Sequence, residues 1–164
     1  MFREMRRGKQ ALTEDEAKGI LYAGSSGVLA LSGDNEYPYA LPISYVYDGD
    51  KLYFHCAKTG HKIDAIKRNG KASFCVIAQD IISPEEYTTH YQSVIVFGKI
   101  SIIDDELQKL FAIRKLAEKY VPQHTKEQRD GMINKEWDAL CMLEMSVEHI
   151  TGKEARELKA LRNK

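Results

Sequence analysis

The chain has 164 residues, 43% hydrophobic and 29% charged, enough for one domain with its own core and too few for two. Its 24 basic and 24 acidic residues cancel, which excludes the basic footprint of a nucleic-acid binder and the polybasic face that docks on an anionic membrane. Three separated cysteines without a CxxC pair, no apolar run long enough to span a bilayer and no signal-peptide core at the N-terminus predict one soluble domain, residues 1–164, in a reducing cytoplasm.

Taken in order, Thr13-Glu14-Asp15-Glu16 has the form of a capping box, and residues 17–22 continue it as a short helix that Gly24 breaks. Residues 28–31 read as a compact apolar strand. Residues 37–47 read as one long strand despite Pro38 and Pro42, which cannot donate to a ladder and so predict an edge, a bulge or a docking place for something other than a strand. Asp48-Gly49-Asp50 turns the chain into a strand over 51–56. A helix over 63–68 stops at Asn69-Gly70, and residues 71–78 form the next strand. Ser83-Pro84-Glu85-Glu86 reads as the start of a short helical turn or excursion. A long strand follows over 92–103, then a helix with Leu107, Leu110, Phe111, Ala117 and Tyr120 at helical spacing. Residues 122–131 read as a polar loop, 140–147 as the last strand and 153–161 as a charged helix. Six strands, several joined as hairpins, predict an antiparallel meander closed into a small barrel instead of a β-α-β fold.

The segment 54–66 carries the chemistry. A strand ends at His55 and Cys56, a turn follows through Lys58, Thr59 and Gly60, and a helix begins with Thr59 as its expected N-cap. Lys58, His61 and Lys62 crowd the positive end of that helix, where acidic side chains are normally preferred. An anion bound there removes the repulsion, and helix N-termini with free N–H groups are ready phosphate sites. The alternative is a set of solvated lysines with no partner. The turn is not a P-loop, because His55 stands at the first glycine position and His61 follows Gly60. The five histidines show no close pair with metal-ligand spacing, so no metal site is expected.

The segments Tyr37-Pro38-Tyr39-Ala40-Leu41-Pro42-Ile43-Ser44-Tyr45-Val46-Tyr47 and Leu52-Tyr53-Phe54-His55-Cys56-Ala57-Lys58-Thr59-Gly60-His61-Lys62-Ile63-Asp64 resemble those of the pyridoxamine 5'-phosphate oxidase-related flavoproteins, and within them the nitroimidazole-resistance (Nim) branch. The resemblance extends to Met5-Arg6-Arg7, to Ser93-Val94-Ile95-Val96-Phe97-Gly98-Lys99 and to Ile150-Thr151-Gly152-Lys153, so it covers nearly the whole chain. It implies a six-stranded antiparallel Greek-key split β-barrel with peripheral helices that binds FMN at the interface of a homodimer. It further implies that Leu41, Pro42, Ile43 and Ser44 run along the flavin ring, and that His55, Cys56, Ala57, Lys58, Gly60, His61 and Lys62 hold the ribityl chain and phosphate. Ser93 and Gln92 would reach the flavin across the dimer, with Lys153 and Trp137 as further carry-overs. In the Nim branch the position of His55 has a redox role, so His55 is the expected catalytic residue of an oxidoreductase acting on a small electron-poor acceptor. The arginine-rich ending of the vitamin B6 oxidases is missing, which argues against pyridoxamine phosphate as substrate. A flavin-binding or sensing module without chemistry of its own is the alternative.

Overall fold

The computed structural model describes residues 1–162, with side chains through residue 160; the expected domain of residues 1–164 therefore extends beyond the described residues at Asn163 and Lys164. Helix α1 (Glu14–Ala23) starts at the capping box read from the sequence. Thr13 Oγ1 accepts from the Glu16 amide at 3.3 Å, and Glu16 Oε2 accepts from the Thr13 amide at 2.7 Å. Strands β1 (Ser26–Ser32), β2 (Pro38–Ser44), β3 (Val46–Asp48) and β4 (Lys51–Ala57) precede helix α2 (His61–Arg68). Then come β5 (Lys71–Ser83), β6 (Thr88–Ile102), α3 (Glu106–Tyr120), α4 (Lys126–Glu136), β7 (Leu140–Glu154) and α5 (Arg156–Arg162).

All the strands join one antiparallel sheet in the order β2-β1-β5-β6-β7-β4-β3. This corrects the expected six-stranded closed barrel in two respects. Among the described residues there are seven strands, because the run 37–47 breaks at Tyr45 into β2 and β3. The sheet is also open, since no ladder joins its edge strands β2 and β3 among the described residues. At Tyr45 the amide makes a last bond in register with β1, to Ser25 O at 3.3 Å, and also donates to the Tyr120 hydroxyl at 3.0 Å. The two halves then pair with different neighbours, β2 with β1 and β3 with β4. Because β2 and β3 are consecutive in the chain yet lie at opposite edges, the sheet must curl until its edges are one residue apart. The prolines sit on β2, an edge strand, where a missing N–H costs no ladder bond.

Two apolar layers follow from the alternation of side chains along the strands. Leu29, Phe54, Phe74, Val76, Val94, Val96, Leu143 and Met145 fill the concave side, with Leu21 of α1 and Ile63 and Ile66 of α2. On the other side, Ala112 and Leu116 of α3 pack on Val46, Tyr53, Leu140 and Met142. Full burial of each large aliphatic side chain contributes about 1.5–3 kcal/mol, so α3 is held by the sheet and not by its own propensity.

Four local expectations change. Ser83 ends β5, residues 84–87 form the turn of the β5–β6 hairpin instead of a helix start, and β6 begins at Thr88. Residues 126–131 belong to α4, whose capping box pairs Thr125 with Gln128, so the expected loop over 122–131 ends at Thr125. Strand β7 continues to Glu154, which removes Lys153 from the C-terminal helix. The stripe of α3 that meets the sheet is Ala112 and Leu116 with half-buried Ile113, whereas Leu107 and Phe111 are exposed. Among the described residues no helix is long and apolar enough to cross a membrane, and no three His, Cys, Asp or Glu side chains cluster as metal ligands.

Candidate functional site

Ser44 ends β2 and His55 lies near the end of β4. The curl of the sheet brings them to one cavity of about 270 Å³, whose remaining wall is Ile113, Leu116, Ala117 and Tyr120 of α3. His55 pairs with Met142 across the β4–β7 ladder, on the side of the sheet that α3 covers. The cavity thus offers one imidazole and the Ser44 hydroxyl beside a largely aliphatic wall, an arrangement suited to holding a small ring while one polar atom is engaged.

The α3 wall is fastened from above. The Tyr120 hydroxyl receives the Tyr45 amide hydrogen at 3.0 Å and donates its own hydrogen to the Ser25 carbonyl, with the Tyr45 carbonyl oxygen 3.1 Å away. Lys119 donates to the Gly24 carbonyl and lies 4.6 Å from the centre of the Tyr45 ring; burial lowers its pKa from the usual lysine value. The Tyr45 hydroxyl donates to Leu21 O at 2.7 Å, and burial, with a smaller contribution from Tyr120, pushes its pKa above the ordinary tyrosine value. The α3 residues of the cavity escaped the sequence reading. Ala117 and Tyr120 were legible as part of an amphipathic helix, but nothing local to them names β2 and β4 as its partners.

The turn after β4 places Lys58, Thr59 and Gly60 ahead of α2. Gly60, not Thr59, is the N-cap, and no side chain caps this helix. Its φ of 117° and ψ of 171° lie in a region that in practice only glycine occupies, and the space where a Cβ would sit is open. The amides of Ile63 and Asp64 turn back to Gly60 O at 2.9 and 3.2 Å, while those of His61 and Lys62 are among the donors that helix geometry leaves free. An uncapped N-terminus, an open glycine cradle and flanking lysines fit a phosphate group. His61 is the exception. Its ring stacks on Tyr39 with centroids 4.0 Å apart, and Nε2 is 3.4 Å from Asp34, which also receives Arg68 at 2.9 Å.

The remaining expected residues do not all converge. Leu41, Ile43 and Cys56 pack against the concave core, whereas Pro42 and Ala57 are exposed. Cys56 faces Cys141 across the β4–β7 ladder; burial first, then Cys141, pushes the Cys56 thiol up to about 12, opposed by Lys62. Ser93 pairs with Lys153 on β7, whereas His55 pairs with Met142 on the same strand. Toward the other edge of the sheet Ser93 pairs with Ile77 of β5, and Ile77 and Gln92 line a cavity with Ser26, the partner of Ser44 on β1. Lys153 lies over the Tyr91 ring at 5.2 Å, and Trp137 lies beneath Lys109 at 4.0 Å.

Comparison with known proteins follows this geometry. An uncharacterised protein of Rhizobium meliloti (strain 1021) is 30% identical over 92 residues, which are 55% of this chain and 54% of that protein. The chain thus spans about half the length of the curated relative it matches. A FAD-binding protein from Mesorhizobium loti superposes with a TM-score of 0.64 at 25% identity, over 88% of this chain and 96% of that one. A Bacteroides thetaiotaomicron protein, described as a candidate 5-nitroimidazole antibiotic resistance protein, superposes with a TM-score of 0.74 at 18% identity, over 87% and 85% of the two chains. The family model described as pyridoxamine 5'-phosphate oxidase matches residues 13–154. On that match, from the capping box of α1 to the end of β7, the chain belongs to the pyridoxamine 5'-phosphate oxidase family.

Proposed function

We propose that this protein binds FMN as a homodimer and acts as an oxidoreductase of the nitroimidazole-reductase type on a small electron-poor acceptor. The observation that carries the reading is the meeting of Ser44 and His55 in one aliphatic cavity, close in sequence to a turn that fits a phosphate. Family membership and the likeness to a FAD-binding protein at 25% identity support a flavin as the cofactor. Lys58 and Lys62, with the amides at the start of α2, would hold the phosphate, and the backbone of residues 41–44 would meet the ring edge. The flavin, when bound, supplies the transfer of electrons or hydride to the acceptor. His55 Nε2 or Nδ1 donates or relays a proton to the acceptor, which the α3 wall would help to position.

The homodimer is the arrangement the family resemblance implies, in which Ser93 would serve the partner's site. The test begins with the absorbance spectrum of the purified protein and identification of the released chromophore. Released FMN, followed by nitro-aromatic turnover that disappears in His55→Ala while flavin stays bound, is the expected result. Released FAD would correct the cofactor. Bound flavin without saturable turnover of any acceptor would reduce the protein to a flavin-binding module, and a protein that takes up no flavin would remove the function proposed.

A further inference from the structure

Beside the phosphate turn lies a second cavity, of about 340 Å³, between the start of α3, the end of β6 and the start of β7. Three lysines line it: Lys58 from the turn, Lys67 from α2 and Lys109 from α3. Lys109 is only 8% exposed. Its ammonium donates one hydrogen bond, to Trp137 O at 3.2 Å, and lies 4.0 Å from the centre of the Trp137 ring. Buried ammonium groups are ordinarily paired with carboxylates. Here, among the described residues, every ion pair involves other cations, and none of the three lysines has a carboxylate partner.

Two carboxylates, Asp104 and Glu106, also line the cavity. They flank Asp105, whose side chain caps α3 by accepting from the Gln108 amide at 2.8 Å, so both stand at the positive end of that helix, where its dipole favours negative charge. Lys67, in the last turn of α2, is favoured by the dipole of its own helix. Lys58 and Lys109 have no such compensation, and the cavity keeps a net positive charge.

We infer that this cavity is a second anion subsite, which takes a phosphoryl group lying beyond the phosphate of the proposed flavin. The inference extends the proposed function, with Lys58 shared between the two subsites. A phosphoryl group supplies acceptor oxygens for the ammonium hydrogens of Lys109 that Trp137 leaves unused and for the lysines at the rim. It has two possible sources: the distal half of a dinucleotide cofactor, or a separate phosphorylated substrate.

The experiment measures calorimetric binding of ADP to the purified protein, with FMN and FAD affinities measured alongside. Lys67→Gln and Lys109→Gln are the variants, since neither residue belongs to the proposed flavin site; Lys67 is exposed and serves even if Lys109→Gln proves unstable by thermal melting. The expected result is ADP binding that weakens about tenfold in each folded variant and falls steeply with salt. A dinucleotide source gives wild-type protein that prefers FAD to FMN and variants that do not. A separate substrate gives equal flavin affinities and ADP binding to the FMN-loaded protein. ADP that fails to bind, or that binds Lys67→Gln as tightly as wild type, overturns the subsite. Lysine-dependent ADP binding by a protein that takes up no flavin would sustain the subsite while removing the proposed function, and flavin uptake without ADP binding or FAD preference would do the reverse.

Discussion

The hydroxyl of Tyr120 is seated on the backbone of Tyr45, 3.0 Å from its amide nitrogen and 3.1 Å from its carbonyl oxygen. One side chain of α3 therefore caps the residue at which the chain leaves one edge of the sheet for the other. Without the hydroxyl the Tyr45 amide keeps only its longer bond to Ser25 O at 3.3 Å. Tyr120→Phe should destabilise the protein by about 1 kcal/mol and loosen α3 over the Ser44–His55 cavity. Chemical denaturation checks the first effect, and amide exchange in α3 the second. An unchanged midpoint with unchanged exchange would show that packing alone holds the helix.

Two glycines make opposite demands. Gly98 lies at the irregularity in the β6–β7 register, and a methyl group there would collide with the Ser146 carbonyl oxygen. Gly60 has open space above it but a φ of 117°. Gly98→Ala should cost about 3 kcal/mol by overpacking, with no specific effect on ligand binding. Gly60→Ala should cost about 1–2 kcal/mol through backbone strain and weaken flavin binding further than that loss of stability explains, because the cradle itself is altered. Denaturation curves read with flavin titrations separate the two. Equal effects on stability and affinity in both variants would argue against a phosphate at Gly60.

Much of the fold is written locally. The capping box at Thr13, the prolines that confine β2 to an edge and the turn at Gly49 each depend on a few neighbouring residues. The break at Tyr45 does not. Nothing local marks Tyr45 as the place where the run from Tyr39 to Tyr47 changes edges, and the side chain seated there, Tyr120, is 75 residues away. The same distance hides the cavity. His55 and Ser44 were legible as residues of interest, but their meeting depends on the curl of seven strands, and the wall opposite them comes from α3. The α3 stripe was misjudged for a related reason: Leu107 and Phe111 keep helical spacing, yet the sheet lies under Ala112 and Leu116, and hydrophobic periodicity alone cannot say which of two adjacent stripes faces it. The α4 capping box at Thr125 and Gln128 has a local sequence form, but the polar composition of 122–131 reads as a loop.

Cys56 gives a pH dependence with a definite sign. Burial foremost, and Cys141 next, push its thiol up to about 12 from an ordinary value of 9.0. Below 9.0 the thiol keeps its proton in both folded and unfolded chains, and its contribution to stability is fully present. As pH rises above 9.0 the unfolded chain ionises first, so the contribution is progressively lost up to about 12. The thiol is half-buried, which limits the slope to about 0.5 kcal/mol per pH unit, below the 1.4 of a fully shielded group. Denaturation midpoints measured across that alkaline range should fall more steeply in wild type than in Cys56→Ser, since serine has no proton to lose there. Iodoacetamide should also modify Cys56 slowly at neutral pH. Parallel pH profiles for the two proteins would show that the thiol is not shielded.

The β5–β6 hairpin gives a direct test of the dimer. Beyond Cys75, β5 has no pairing with β1, and before Gln92, β6 has none with β7, so the hairpin projects as a two-stranded arm. It carries Ile81, Ile82 and Tyr87 exposed, a concentration of apolar surface that isolated ribbons do not keep in water without a partner. If the arm lies in the proposed homodimer, sedimentation should give twice the chain mass of 18.7 kDa. Replacing Ile82 and Tyr87 together by lysine should then yield a monomer whose far-ultraviolet spectrum is unchanged and whose flavin affinity is lost along with the dimer. A dimer that survives the double substitution would move the interface elsewhere on the sheet. A wild-type monomer that binds flavin tightly would remove the cross-dimer role of Ser93 and confine cofactor recognition to a single chain.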